Sequence, residues 1–249
     1  MAKILFLIVW LIFSNVSAET IIIGTSSENP PFSFQVSNQN HFYGFEVELM
    51  SNICYRIGVH CQFKSIGVSS IIDELNSGKI DYAIAAIMLP DKPLKGFVFS
   101  LPYLQSGAQF MTLVNSKINA PADIRGKTIG VRKGTLGGGT LFKNLIMEIY
   151  DEQLKVLEYP TMPDLLDALN KEEVDAIFSN ALPIRYWYYN HKTIYKLVGS
   201  RIPFGNSYSI MGRKKSQLQM MQINHALLDT MGDGSYLKIY NRYFSWIPE

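Results

Sequence analysis

The chain has 249 residues, of which 18% are charged and 12% are aromatic. Its formal net charge of +2 is too balanced to favour binding to nucleic acid or to an anionic membrane surface. About 230 residues remain after the leader predicted below, which allows one large domain or two domains of modest size.

Residues 1–18 have the pattern of an export signal. Lys3 precedes an apolar run at residues 4–13, and small residues close the segment at Val16-Ser17-Ala18. A positive start, a short apolar run and a small-x-small site are typical of a secretory signal peptide. A membrane anchor is the alternative, but the run is too short to span a bilayer comfortably. We predict cleavage after Ala18, a mature protein outside the cytoplasm, and no lipid anchor.

Cys54 and Cys61 are the two cysteines of the chain. In an exported protein, an even pair this close together favours a disulfide. The spacing is not Cys-x-x-Cys, so a structural role is favoured over a redox role. The short closed loop should stabilise the fold by about 2–3 kcal/mol in the chain-entropy model.

The first predicted unit begins with an apolar strand at residues 21–23, followed by a polar loop at residues 24–32. The loop carries Ser26, Glu28 and Asn29 and leaves the carboxyl end of the strand. In open α/β sheets, ligands collect at that end of the strands. We therefore expect this loop to form one wall of a binding site.

The rest of the first unit alternates helices and strands. An apolar stripe predicts a helix at residues 45–57, and capping-box spacing at Ser70 predicts a second, shorter helix. An apolar run at residues 82–87 predicts the next strand. This β-α-β-α-β order favours a parallel sheet with helices on its faces.

A second unit repeats the pattern. Its predicted strands lie at residues 109–114, 128–131, 155–159 and 175–178, and its predicted helices at residues 141–150, 161–170 and 183–190. Capping-box spacing at Thr161 marks the start of the second of these helices. Residues 75–81 and 169–175 share a spacing in which Leu-Asn is followed, three residues later, by Ile or Val and then Asp. The repeat indicates two lobes that are built alike.

Two further helices are predicted in the tail, at residues 217–231 and 235–243. If the second unit is an inserted lobe, the tail must pack on the first lobe. We therefore predict lobe 1 at residues 19–107 and 206–249, and lobe 2 at residues 108–205. Two crossing strands, near residues 105–111 and 201–209, would join lobes that can open and close around a ligand.

Several short motifs together resemble one family. They are Gly24-Thr25 with Pro31-Phe32, the run Gly44 to Leu49, Phe99-Ser100 with Pro102-Tyr103, Gly130-Val131 with Gly134-Thr135, and Asp233 to Tyr236 with Tyr243-Phe244. With the spacing of the two cysteines, they resemble the amino-acid-binding periplasmic proteins of ABC importers. That family contains the lysine/arginine/ornithine-, histidine- and glutamine-binding proteins. The resemblance covers essentially the whole mature chain.

The resemblance implies a type II periplasmic-binding-protein fold, with two α/β lobes joined by two crossing strands. It implies a periplasmic protein that binds a small polar solute, above all an amino acid, by hinge closure and delivers it to a membrane permease. It further implies a monomer that needs no cofactor or metal, binds no nucleic acid and catalyses no reaction.

The resemblance also indicates site residues, although the chain departs from the family at several of them. The family holds the solute carboxylate with an Arg of a Thr-x-x-Arg motif and the ammonium with an Asp of lobe 2. Here Pro93 stands at the Arg position beside Lys92, and Asn180 stands at the Asp position. The Gly-Thr loop of lobe 2 can still hold an anion at a helix N-terminus. The predicted ligand-binding residues are Ser26, Glu28, Asn29, Phe32, Ala86, Met88, Lys92, Thr135, Leu136 and Asn180.

Three alternatives remain open. Glu28 is either a replacement for the cation-binding residue or a solvated loop residue. The protein could be an enzyme on the same scaffold, similar to the cyclohexadienyl or arogenate dehydratases, although few acids are expected in the cleft. It could also be a degenerate binding module that acts as a sensor or a partner protein. The glycines at 137–139 lack the Lys-Ser/Thr of a phosphate loop, and the four histidines lack metal-ligand spacing.

Overall fold

The computed structural model describes residues 19–36, 41–90, 92–134, 136, 139–150, 154–205 and 207–247. The predicted signal peptide therefore lies outside the described residues. Within them, none of the helices has the length and apolar character needed to cross a membrane.

The described chain alternates strands and helices. The strands are β1 (Thr20–Thr25), β2 (Glu28–Asn29), β3 (Ser33–Gln35), β4 (Phe42–Tyr43), β5 (His60–Ser65), β6 (Tyr82–Ala83), β7 (Phe97–Phe99), β8 (Gly107–Leu113), β9 (Thr128–Arg132), β10 (Lys155–Tyr159), β11 (Ala176–Asn180), β12 (Tyr195–Pro203) and β13 (Met211–Arg213). The helices are α1 (Phe45–Ile57), α2 (Ile71–Asn76), α3 (Gly139–Ile149), α4 (Met162–Asn170), α5 (Ala181–Asn190), α6 (Gln217–Gly232) and α7 (Ser235–Phe244).

Two five-stranded sheets share one topology. The first has the order β5-β1-β6-β13-β7 and the second the order β10-β9-β11-β8-β12. In each sheet the first three strands are parallel to one another, and the last two pairings are antiparallel. The predicted α/β fold with two similar lobes is thus confirmed. The residue boundaries of the lobes stay a prediction.

The two crossing segments run side by side. Ala108 pairs with Ile202 and Gly107 with Pro203, and an isolated bridge joins Leu104 to Tyr208. The end of strand β12 falls in the crossing strand predicted near residues 201–209. Its first part, from Tyr195, was not predicted, because charged and polar residues at exposed positions hide the alternation that marks a strand.

Local differences from the sequence prediction have physical causes. The strand predicted at residues 82–87 ends at Ala83, and Ala86 adopts a positive φ of 51° while its N–H donates to Glu46 Oε1 at 2.6 Å. Ser70 does not cap α2, because its hydroxyl donates to the Gly67 carbonyl instead. By contrast, the capping box predicted at Thr161 is present at the start of α4.

The predicted disulfide is present and joins the end of α1 to the start of β5. Cys54 and Cys61 are linked, with their Cα atoms 6.0 Å apart. Between them Gly58 adopts a left-handed conformation and its N–H caps the last turn of the helix. Glycine reaches this conformation without the steric cost of a Cβ, so the chain can turn back sharply enough to close the bridge.

Replacing both cysteines by alanine should lower the free energy of unfolding by about 2–3 kcal/mol, because the unfolded chain loses a short covalent loop. Urea unfolding of Cys54→Ala/Cys61→Ala against the wild type measures this loss. Wild-type protein unfolded in the presence of dithiothreitol serves as the control and should lose a similar amount. Equal free energies of unfolding with and without the bridge would contradict the prediction.

Candidate functional site

Loops from the carboxyl ends of parallel strands in both sheets meet at the interface between the lobes. The Met88 N–H, after β6, donates to the Leu136 carbonyl, after β9, at 3.0 Å. The Leu136 side chain packs into an apolar cluster of the first lobe that includes Ile66 and Val68. The lobes are therefore in contact at the end of the sheets where the sequence predicts a site.

A cavity of about 200 Å³ lies between these loops. It is lined by Ser26, Ser27, Glu28, Ser65, Ile66, Gly67, Val68, Arg132, Pro160, Thr161 and Met162. Among these described lining residues, Arg132 and Glu28 are the charged ones, and four others carry hydroxyl groups. The cavity therefore presents one cation and one anion to a small molecule.

Arg132 is the last residue of β9 and lies almost wholly out of solvent, with 6% of its surface exposed. Its Nε has no hydrogen-bond partner among the described residues. Burial lowers the pKa of Arg132, whereas the negative charges of Glu46 and then Glu28 oppose that shift. A buried guanidinium with an unpaired donor is costly, so the position calls for an acceptor.

The backbone around Arg132 is held in place by close packing. Arg132 pairs with Tyr159 of the neighbouring strand β10, and the Lys133 N–H donates to the Tyr159 carbonyl at 2.7 Å. Helix α3 starts against the same segment, since a Cβ on Gly139 would lie 1.9 Å from the Arg132 carbonyl oxygen. The glycine at 139 is therefore explained by this close approach of helix and loop.

Glu46, in the first turn of α1, is fully buried behind the loop that follows β6. Its Oε1 accepts from the Ala86 N–H and the Tyr103 hydroxyl, while Oε2 has no partner among the described residues. Burial raises the pKa of Glu46 to about 7, although these hydrogen bonds, nearby Ser33 and the charge of Arg132 lower it. The interaction with Arg132 is a through-space attraction between the two lobes.

Asn180 is held by the protein itself. The Tyr208 hydroxyl, from the second crossing segment, donates to Asn180 Oδ1 at 2.8 Å, and both groups are buried. The Tyr208 ring packs edge-on against Phe32, with ring centroids 5.5 Å apart. Tyr208 of the crossing segment thus contacts both Asn180 of lobe 2 and Phe32 of the first loop.

A larger cavity of about 900 Å³ lies against the crossing segments and helices α5 and α7. None of the predicted ligand-binding residues lines it. It contains Arg185 and Arg201, but Arg185 donates to Gln109 and Arg201 to the Ser106 carbonyl. We therefore place the candidate site at the smaller cavity between the loops.

The sequence profile of the bacterial extracellular solute-binding proteins, family 3, matches residues 21–245 of this chain. The chain belongs to this family. The family resemblance predicted from the motifs is thereby confirmed.

Related proteins and solved structures are similar to this chain over nearly its whole length. A putative ABC transporter arginine-binding protein 2 of Escherichia coli K12 is 26% identical, with 93% of each chain covered. The L-cystine-binding protein TcyJ of Escherichia coli K12 is 25% identical over 90% of this chain and 82% of its own. The crystal structure of an arginine third transport system periplasmic binding protein from Legionella pneumophila is 35% identical, with a TM-score of 0.84, covering 91% of this chain and all of the other.

The structure of this family 3 protein buries seven of the ten predicted ligand-binding residues, but only two of those it describes line the interlobe cavity. Glu28 and Lys92 are exposed, and Thr135 lies outside the described residues. Of the ten, Ser26 and Glu28 line the cavity. The seven buried ones are Ser26, Asn29, Phe32, Ala86, Met88, Leu136 and Asn180. Their roles in binding stay a prediction.

Sequence reasoning missed two residues of the site, Arg132 and Glu46. Arg132 follows the strand predicted at residues 128–131 and has no predicted role, and Glu46 lies in the first turn of a predicted helix, where the macrodipole favours acids. A signal was available for Arg132, because it follows an apolar strand directly and precedes Lys133-Gly134. Ligands bind at the carboxyl ends of the strands in open α/β sheets, so a cation directly after a buried parallel strand indicates a ligand site.

The raised pKa of Glu46 predicts a pH-dependent stability. Native Glu46 keeps its proton up to about pH 7, whereas its ordinary pKa is 4.5, so the native state binds more protons between these values. The free energy of unfolding should therefore fall as pH rises from 4.5 to 7, by on the order of 3 kcal/mol relative to Glu46→Gln.

Urea unfolding of the wild type and of Glu46→Gln at several pH values from 4.5 to 7.5 measures this difference. Glutamine keeps the acceptor for the Ala86 N–H and the Tyr103 hydroxyl but does not titrate. Parallel pH profiles for the two proteins would show that Glu46 titrates normally in the folded state.

Proposed function

We propose that this protein acts outside the cytoplasm, where it captures a small α-amino acid between its lobes and delivers it to the membrane permease of an ABC importer. The observation that carries the proposal is the interlobe cavity, which is lined by one buried cation, one carboxylate and several hydroxyls. A zwitterion complements that set, since each of its charges meets an opposite charge. Relatives whose names give arginine or L-cystine as the bound solute support the same class.

The size of the cavity indicates the scale of the solute. Pockets for drug-sized molecules occupy about 300–1,000 Å³. The cavity of about 200 Å³ is smaller, and Met88 and Leu136 fill the adjoining interface. A single amino acid is therefore a better match than a peptide or a nucleotide.

Binding without catalysis is the better proposal. A dehydratase-like enzyme needs an acid–base group within reach of its substrate. Glu46 has a pKa suited to that role, but it is not among the residues that line the cavity, and its Oε1 is engaged by two donors. A solute in the cavity would therefore meet Glu28 and Arg132 and not Glu46.

A thermal-shift screen against the twenty amino acids tests the proposal, with polyamines and small carboxylates as the comparison sets. The protein is first stripped of bound solute by unfolding and refolding. A solute at 100 times its Kd should add about 2.7 kcal/mol of stability and raise Tm by roughly 5–10 °C for a chain of this size. Hits confined to the comparison sets would change the proposed solute class. Refolded protein that responds to no compound would favour the sensor or partner alternative.

A further inference from the structure

The anion-binding group of this site has a different location from the one the sequence indicates. Lys92, the cation next to the expected Arg position, is exposed and is absent from the lining of the interlobe cavity. Arg132, on the opposite lobe, lines the cavity and is 6% exposed. Both residues offer one positive charge, but only Arg132 offers it in a place shielded from water.

The unpaired donor of Arg132 points to an acceptor that the described residues do not supply. The other polar groups of the lining largely have partners. Ser65 donates to Ser27, Ser26 accepts from the Glu28 N–H, and Thr161 belongs to the capping box of α4. Among the described residues, three buried donor nitrogens have no partner, those of Arg132, Trp187 and Arg213. Buried donors without partners are rare in native proteins, and only that of Arg132 belongs to a residue lining the cavity, where a ligand could supply the acceptor.

The charges around Arg132 define what that ligand must be. Negative charge on Glu46, which does not line the cavity, and on Glu28, which does, attracts the guanidinium. A purely anionic ligand would face the charge of Glu28 and gain less. A ligand with a carboxylate for Arg132 and an ammonium for Glu28 satisfies both groups. Arginine also presents a planar fork that matches a carboxylate, which lysine does not.

We propose that Arg132 of lobe 2 holds the solute's α-carboxylate and that Glu28 of lobe 1 holds its α-ammonium. This inference rests on the proposed function. It moves the carboxylate anchor from the first lobe, where the Pro93 position has lost it, to the second. The solute then bridges the lobes through its two charges, so binding and closure are coupled directly.

Isothermal titration tests the carboxylate anchor with a pair of ligands. The pair is the amino acid that gives the largest thermal shift and the α-carboxamide of the same amino acid, which lacks the negative charge. Arg132→Gln should weaken binding of the amino acid about 10- to 100-fold, because a charge-assisted hydrogen bond is lost, and should change carboxamide binding much less. Arg132→Lys, which keeps the charge without the fork, should fall between.

Matched variants separate the anchor from general effects of charge. Lys133→Gln is the matched control, since it removes one exposed positive charge and should leave both affinities within about twofold. Lys92→Gln tests the rival anchor that the sequence indicated on lobe 1. Glu28→Gln should weaken the amino acid and its carboxamide alike, by about two- to fivefold, because both ligands keep the ammonium and Glu28 is exposed.

The outcomes are distinct. Equal losses for the amino acid and the carboxamide in Arg132→Gln, or no loss, would overturn the assignment while leaving the proposed function intact. A selective loss in Lys92→Gln would place the anchor on lobe 1. Absence of wild-type binding to any amino acid would remove the proposed function and this inference together. Far-ultraviolet circular dichroism and Tm show whether each variant is folded. If Arg132→Gln does not fold, the affinities of Arg132→Lys for the amino acid and its carboxamide decide the outcome.

Discussion

The buried carboxylate of Glu46 is the interaction on which the arrangement of the site depends. It joins helix α1 to the loop after β6 through Ala86 and to the first crossing segment through Tyr103. Without those two donors, a carboxylate in this position would carry the full cost of its burial. Where it is ionised, above about pH 7, its charge also attracts Arg132 of lobe 2. One acid therefore organises lobe 1 internally through its two hydrogen bonds.

Closure of the lobes combines this electrostatic attraction with apolar contact. Leu136 inserts among Ile66 and Val68, and its carbonyl accepts from the Met88 N–H. Ala86 and Met88 are buried and require no side-chain hydrogen bonds there. Apolar contact has no charge preference, whereas the Arg132 region does. In the proposed binding mode, apolar contact promotes closure and Arg132 makes it depend on the solute.

Much of the fold could be predicted from the sequence, since its signals are local. The stripe of Phe45, Leu49 and Ile53 defined α1, and the capping box at Thr161 marked the start of α4. Arg132 could not be assigned in the same way, because its burial depends on a second lobe that is distant in sequence. The early end of β6 was equally hidden, because it depends on a hydrogen bond between Ala86 and Glu46. Local pattern predicts elements, while long-range polar contacts determine the site.

The altered pocket follows from one consistent change of chemistry. Pro93 has no group that can bind a carboxylate. Asn180 stands where the family has an acid, and its side-chain carbonyl accepts a hydrogen bond from the Tyr208 hydroxyl. If those had been isolated losses, the interface would keep no charge pair for a zwitterion. Instead Arg132 and Glu28 line the cavity with opposite charges, from opposite lobes. If each lobe carries one half of the recognition, as we propose, a solute with a single charge can satisfy one lobe but cannot favour closure through both.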